Sequence, residues 1–451
     1  MPSRAAEEFP IMRTFKTFLG NLGLLVLLAI ALMIWIKLTP LLVGVLALFL
    51  LAWLVLTRRG RQTLSVTGVG ISTLGQRLGA SSVIVIGIAG VVGVLVAMLA
   101  MSDGFAATLQ QTGSDDTAIV LRGGSSAELN SVLERDNISV IEQAPGVARG
   151  SKGEPVASAE LSVVVNLPKK SDPSIDANVQ IRGVGDEAWA LRPNVRILQG
   201  RRFTPGLREL VVGQGAQHQF AGLEVGKQLR LAGQQWTVVG TFASDDSHDS
   251  ELWGDMQTVA SAYRRGASAQ SVTVRLVSAR AFDTFKAALV SDPRLKVDVS
   301  TTRDYFSKQS ENLTKVIRIV GITVGTIMAI GAIFGALNTM FAAVSTRARE
   351  IATLRAIGFR GVPVVVSILL ETMLLALLGG ALGGLIAWLI FNGYTASTLG
   401  SSFSQVVFQF KVSPQLLWTG IQWAMAIGFV GGLFPAVRAA RLPVTTALRE
   451  L

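Results

Sequence analysis

The chain has two histidines, His218 and His248, and no cysteine among its 451 residues. Disulfide frameworks, thiolate metal sites and cysteine nucleophiles are therefore excluded. One histidine lies in the run Asp245, Asp246, Ser247, His248, Asp249, Ser250, Glu251, which offers oxygen and imidazole ligands to a divalent cation. The run lacks the spacing of a calcium loop and reads equally as a solvated loop, so no metal ligand is assigned. No G-x-x-x-x-G-K-[ST] occurs, which removes ATP hydrolysis by a phosphate-cradling loop of the Walker type. No G-x-S-x-G occurs either, so a nucleophile elbow is absent and no catalytic residue is assigned.

Two further features carry physical meaning. Glu371 is the sole carboxylate inside the long apolar stretch 363–391. Ionisable groups at membrane depth are costly and mark functional or tightly packed positions, so Glu371 is either a buried hydrogen-bonding or dimer contact or a proton or ion relay. The segment RAREIATLRAIGFR, 347–360, places Ile351, Leu354 and Ile357 at i, i+3 and i+6. That spacing predicts a short helix with one apolar stripe, closed by Gly358 as a C-cap. Such a helix either docks into a groove on another protein or lies on the membrane surface as a linker.

The elements that must position these residues are apolar. Half of the chain is hydrophobic, 16% is charged, and the mean hydropathy is +0.49, which argues against a purely soluble protein. Six stretches are long enough, or nearly so, to cross a membrane: 19–36, 38–56, 82–101, 316–344, 363–391 and 414–437. The net charge of +11 is unevenly spread: 102–312 holds 25 of the 30 acids and 23 of the 41 bases. The remaining 5 acids and 18 bases give the apolar part +13, the pattern of basic cytoplasmic loops and not of a nucleic-acid binder. Basic clusters at Arg4, Arg13 and Lys16, at Arg58, Arg59, Arg61 and Arg77, at Arg347 to Arg360, and at Arg438, Arg441 and Arg449 all fall on one side if six spans exist. Both termini are then cytoplasmic, and 102–312 lies outside.

The predicted fold class is an α-helical integral membrane protein of six spans with an external α+β domain. Residues 1–57 form the N-terminal tail and a tight transmembrane hairpin, and 58–81 a juxtamembrane segment with Leu64, Ile71, Leu74 and Leu78 at near-helical spacing beside Arg61, Gln76 and Arg77. Span three occupies 82–101, and 313–451 carries spans four to six with the short helix at 346–360. Within 102–312, a strand at 117–121, a helix at 127–135 and a strand at 138–141 are matched later by 271–276, 279–289 and 296–299. Two such units predict a split βαβ subdomain, with a mostly-β subdomain inserted over about 150–255.

NTMFAAVSTRAREIATLRAIGF, 338–359, closely resembles the signature of ABC permeases of the macrolide-exporter (MacB) and FtsX-like family, and FPAVRAARLPVTTALREL, 434–451, resembles that family's ending. The stretch 199–242 is similar to its periplasmic core domain. The resemblance covers about 70–451, and the N-terminal hairpin adds two spans to the usual four. It implies that Arg349, Glu350, Ile351, Leu354, Arg355, Ala356 and Gly358 belong to a coupling helix that docks on a nucleotide-binding subunit. No cofactor is then bound by this chain itself, and ATP and Mg2+ enter through a separate ABC ATPase. The resemblance further implies a homodimer in the bacterial inner membrane, in contact with lipid, with a periplasmic adaptor and an outer-membrane channel as further partners. The expected role is a non-catalytic permease that couples ATP hydrolysis to periplasmic movements driving export or extraction. The alternative is a regulatory scaffold controlling a periplasmic enzyme such as a cell-wall hydrolase.

Overall fold

A computed structural model describes residues 10–72, 78–400 and 405–441. Leu74, Gln76 and Arg77 of the juxtamembrane reading, Arg4, and the family-like ending beyond 441 lie outside the described residues. Contacts among the described residues divide the chain into a helical unit (10–99, 320–391 and 412–441) and an α/β unit (100–319 and 392–411).

The chain opens with α1 (Pro10–Ile36) and α2 (Pro40–Leu56), separated by three residues. Pro40 stands in the first turn of α2, where its missing N–H has no partner to lose. The two helices turn through 117° at this break. Thr57 then ends α2 and starts α3 (Arg58–Ser72), since its hydroxyl donates to the Trp53 carbonyl (2.8 Å) and accepts from the Gly60 N–H (2.9 Å). The α3 helix buries Gly60, Thr63, Val66, Thr67 and Gly70 and leaves Leu64, Val69 and Ile71 exposed.

The long helix α4 (Leu78–Thr112) leads into a run of strands and short helices: β1 (Thr117–Arg122), α5 (Arg135–Glu142), β2 (Ala157–Pro168), β3 (Asp176–Val184), α6 (Glu187–Leu191), β4 (Arg196–Gly200) and β5 (Glu209–Gly213). There follow α7 (Gln214–Gln219), β6 (Gln228–Leu231), β7 (Gln234–Ala243), β8 (Glu251–Asp255), α8 (Met256–Ala262), β9 (Ser271–Arg275), α9 (Phe282–Ser291) and β10 (Val297–Thr301). The last part holds α10 (Thr302–Thr346), α11 (Ala348–Ala356), α12 (Gly361–Phe391), a hairpin of β11 (Thr395–Leu399) and β12 (Gln405–Gln409), and α13 (Pro414–Arg441).

By length and composition, four described helices can cross a membrane: α4, α10, α12 and α13. Small residues bring their backbones together. Gly383 of α12 lies against the Ala89 carbonyl of α4, and Gly428 of α13 lies against Ala376 of α12, close approaches that a larger side chain would prevent. The α1/α2 break docks on α13. The Gln422 side chain donates to the carbonyls of Trp35 (3.0 Å) and Leu38 (2.7 Å), and the Trp35 indole donates back to the Gln422 carbonyl (2.9 Å). Four carbonyls lack intrahelical partners at any helix end, and here Gln422 supplies donors to the chain at the end of α1.

The α/β unit is built on one sheet ordered β10-β1-β9-β2-β3-β8-β5-β7-β4, with β6 also on β7. Strands β9 and β10 flank β1 antiparallel and are joined through α9, a split βαβ arrangement. Residues 138–141 differ from expectation, being part of α5 and not a strand. Ile138 and Ile141 are both buried, three residues apart on one helical face, although their β-branched run reads as strand. Strand β2 changes partner midway: Ala157 to Glu160 pair with β9, and Leu161 to Pro168 pair with β3. One sheet therefore runs on from the split unit into the insertion. The hairpin β11–β12, unforeseen between two apolar spans, joins this unit through Phe408, which meets Phe105 edge-on at 5.5 Å.

Candidate functional site

The predicted coupling segment is helical and sharply bounded. Arg347 leaves helical geometry (φ −103°, ψ 8°) between α10 and α11. Gly358 ends the segment at φ 108°, a left-handed conformation that other residues seldom take, and its N–H and that of Phe359 close the last turn on Arg355 and Leu354. The apolar stripe does not stay on one face. Each i+3 step falls about 60° short of a full turn. Ile351 is accordingly buried, Leu354 is half-buried, and Ile357 is 72% exposed. Leu354 and Ile351 line an apolar cavity of about 480 Å³ with Val66 and Val69 of α3 and Val364 and Ile368 of α12. Arg349, Glu350, Ala356 and Gly358 are exposed, and Arg355 is half-buried.

Glu371 is buried in α12, and the Arg347 guanidinium meets its carboxylate at 3.0 Å. The same guanidinium reaches Glu350, in the first turn of α11, at 3.3 Å. Gly70 of α3 sits directly over this pair. A Cβ there would lie 3.0 Å from the Glu371 carboxylate and 3.4 Å from the Arg347 guanidinium. Three segments distant in sequence thus meet at one ion pair.

A second charged cluster, which sequence reasoning missed, lies in the α/β unit. Arg182 on β3 donates all five of its N–H groups: to Glu251 through Nε and Nη2 (both 2.8 Å), to Glu128 through Nη1 and Nη2 (2.9 and 3.0 Å), and to Glu160 through Nη1 (2.8 Å). Glu160 stands where β2 changes partner, and Arg192 also grips it bidentately at 2.7 and 2.8 Å. The Arg192 Nε lies 3.1 Å from Nε2 of His248. A guanidinium only donates, so this imidazole nitrogen accepts, and the ring proton sits on Nδ1, facing Asp246 at 2.9 Å. Burial pushes Glu160 up, but the guanidiniums of Arg192 and Arg182 outweigh it and hold the carboxyl at about 2. Glu251 is likewise lowered, burial being overcome by Arg182.

The acidic run 245–251 is therefore not a solvated loop. Asp246 and Asp249 bind the backbone and side chain of Ser244, while Asp246, His248 and Glu251 are buried. Among the described residues, no group of three His, Asp or Glu side chains gathers in a way that could hold a metal ion. Gln180 and Arg182 occupy alternate positions of β3 and so read as a solvent-facing row. Only the distant carboxylates on other elements show that this row is buried.

Residues 81–291 match the MacB-like periplasmic core domain, and residues 322–444 match the FtsX-like permease C-terminal domain. The macrolide export ATP-binding/permease protein MacB 1 of Aeromonas hydrophila subsp. hydrophila is 26% identical over 74% of this chain and 56% of its own length. The corresponding MacB of Photorhabdus laumondii subsp. laumondii is 26% identical over 61% of this chain and 44% of its own. The chain spans about half the length of the curated relatives it matches. The crystal structure of the periplasmic region of MacB from Actinobacillus actinomycetemcomitans aligns with 44% of this chain and 93% of its own, at 16% identity and a TM-score of 0.33. Two domains matched in tandem, with four apolar helices long enough to span among the described residues, describe a membrane protein with a large periplasmic domain. The chain belongs to the MacB/FtsX-like family of ABC transporter permeases.

Proposed function

We propose that the chain is the permease subunit that couples ATP hydrolysis on a separate ABC ATPase to periplasmic movements driving export or extraction of a substrate. The observation that carries this reading is α11, a short bounded helix with Arg349, Glu350, Ala356 and Ile357 facing outward between two spanning helices. ATP and Mg2+ then act on the partner subunit, and Glu350, Arg349, Arg355, Ala356 and Gly358 belong to the docking surface. Ile351 and Leu354 support that surface from behind. Export as the direction of transport draws on relatives named for macrolide export.

The α10 helix supports a homodimer. Its most apolar window is 17% buried, against 50% for α4, so one long apolar face is left for a second copy or for lipid. At 45 residues and ~1.5 Å per residue it exceeds a ~30 Å hydrocarbon core, the length a lever would need. A periplasmic adaptor and an outer-membrane channel complete the proposed assembly. The proposed setting is the inner membrane with both termini cytoplasmic, and α1 and α2 count as two further inserted helices that enter and leave on the cytoplasmic side.

The test is purification of the full chain with its co-expressed genomic neighbours, followed by Ile357→Asp. An exposed isoleucine at a docked interface tolerates no unpaired carboxylate, so ATPase association should fall at least tenfold while the permease remains monodisperse. If no ATPase accompanies the wild-type chain, or if Ile357→Asp leaves both association and ATP turnover unchanged, the docking assignment is wrong. With no native cysteine to interfere, a cysteine at Thr39 should label from the periplasm and one at Arg61 from the cytoplasm.

A further inference from the structure

The segment α1 to α3 lies outside both family matches, which begin at residues 81 and 322. Yet α3 packs on the elbow that joins α10 to α11. That elbow is a single residue, Arg347, and its guanidinium is shared between Glu371 of α12 and Glu350 of α11. A planar fork can hold two carboxylates at once in a fixed geometry, which a lysine ammonium cannot reproduce. The Arg347 and Glu371 side chains are 11% and 6% exposed, so solvent screens their attraction weakly. Over them lies Gly70, where even a methyl group would come within 3.0 Å of Glu371. Val66 and Val69, on the same helix, form one wall of the apolar cavity whose other walls include Ile351 and Leu354 of α11.

We propose that the Arg347–Glu371 pair, seated beneath Gly70 of α3, is the positioning device that fixes the angle between α10 and α11, which makes α3 a working part of the coupling apparatus. Force applied to α11 reaches α12 through the pair, and α3 keeps the pair in place from above. Arg347, Glu371 and Gly70 are positioning residues, since they act through α11. Their role in coupling rests on the reading of α11 as the helix that meets the ATPase, but their hold on the elbow does not.

The experiment separates the two. The full chain, purified alone in nanodiscs, carries a spin label on a single cysteine at Ala356, an exposed position on α11. Gly70→Leu, Arg347→Glu and Glu371→Arg should each convert a restricted spectrum into a mobile one. The double reversal Arg347→Glu with Glu371→Arg should restore restriction, and Gly70→Ala should fall between wild type and Gly70→Leu. In the unlabelled complex with its ATPase, Gly70→Leu should keep ATP hydrolysis within about twofold while periplasmic output per ATP falls about tenfold, a split that loss of folding would not give. Should Gly70→Leu fail to fold, Gly70→Ala and the double reversal decide. Unchanged label mobility in the single reversals, or mobility that the double reversal leaves high, overturns the proposal. Mobility that changes as expected in a chain that recruits no ATPase sinks the coupling role of α11 and leaves the elbow device standing.

Discussion

Both units bury charge, and they do so in opposite styles. In the α/β unit, Arg182 is held by three carboxylates and Glu160 by two guanidiniums, so no member depends on one bond. In the helical unit, the Arg347 guanidinium lies 3.0 Å from the Glu371 carboxylate and is shared with an exposed Glu350. The first arrangement ties together the point where β2 passes from one half of the sheet to the other, and over-determination suits a joint that must keep one geometry. The second lies at an elbow, where one guanidinium is shared between the helix that follows it and α12.

That contrast breaks most visibly at Arg182. Arg182→Met would leave Glu128, Glu160 and Glu251 buried without their shared cation, and removing one partner of a buried pair already costs about 3–5 kcal/mol. The α/β unit of the full chain should then unfold below room temperature, followed by the fluorescence of Trp189 and Trp253, which pack 5.1 Å apart. Arg182→Lys should fail nearly as badly, because three donors replace five. Native-like melting in either variant would show the network to be dispensable.

Acid should attack the network next. Glu160 titrates lower when folded, at about 2, than its ordinary 4.5, so the folded state gains from its ionised form. The gain is complete above pH ~4.5 and is lost as pH falls toward ~2, and at ~1.4 kcal/mol per pH unit it amounts to about 3 kcal/mol for this carboxyl. Glu251 and Asp246 shift in the same direction. Denaturant midpoints of the α/β unit should therefore stay level from pH 8 to 5 and fall steeply below. A midpoint that holds constant down to pH 3 would contradict the pairing.

The helical unit should respond more mildly. Glu371→Gln keeps a hydrogen-bond acceptor for Arg347 and leaves it Glu350, so a loss of about 1–3 kcal/mol is expected, visible as a modest fall in melting temperature in detergent. A loss as large as that of Arg182→Met would erase the distinction between the two clusters. Smaller still should be Gln422→Leu, about 1–2 kcal/mol for the donors withdrawn from Trp35 and Leu38. Its signature is faster proteolysis near Lys37 with the other spanning helices unaffected.

How much of this was legible follows from how far apart the partners lie. The helices α4, α10, α12 and α13 declare themselves because burial in lipid demands one unbroken apolar run, and α9 between β9 and β10 shows in local alternation. Gly358 marks its own turn because a left-handed φ of 108° leaves few other residues possible. At 138–141 the β-branched composition points to a strand, while the i, i+3 spacing of Ile138 and Ile141 carries the helix. The buried network has no local signature at all. Glu128, Glu160, Arg182, Arg192 and Glu251 are spread over 124 positions, and each alone reads as an ordinary surface charge. Glu371 was conspicuous for the opposite reason, being the one carboxylate in an apolar run, although its partner Arg347 was read only as part of a docking segment.

The bond between Gln422 and the α1/α2 break also bears on the order in which the protein is made. Synthesis delivers α1 and α2 first and α13 last among the described helices, yet the Leu38 carbonyl accepts from Gln422 and Trp418 of α13. This docking contact therefore forms only after the translation of nearly four hundred further residues. A nascent chain halted before α13 would lack this contact at the α1/α2 break and should be more open to membrane proteases there.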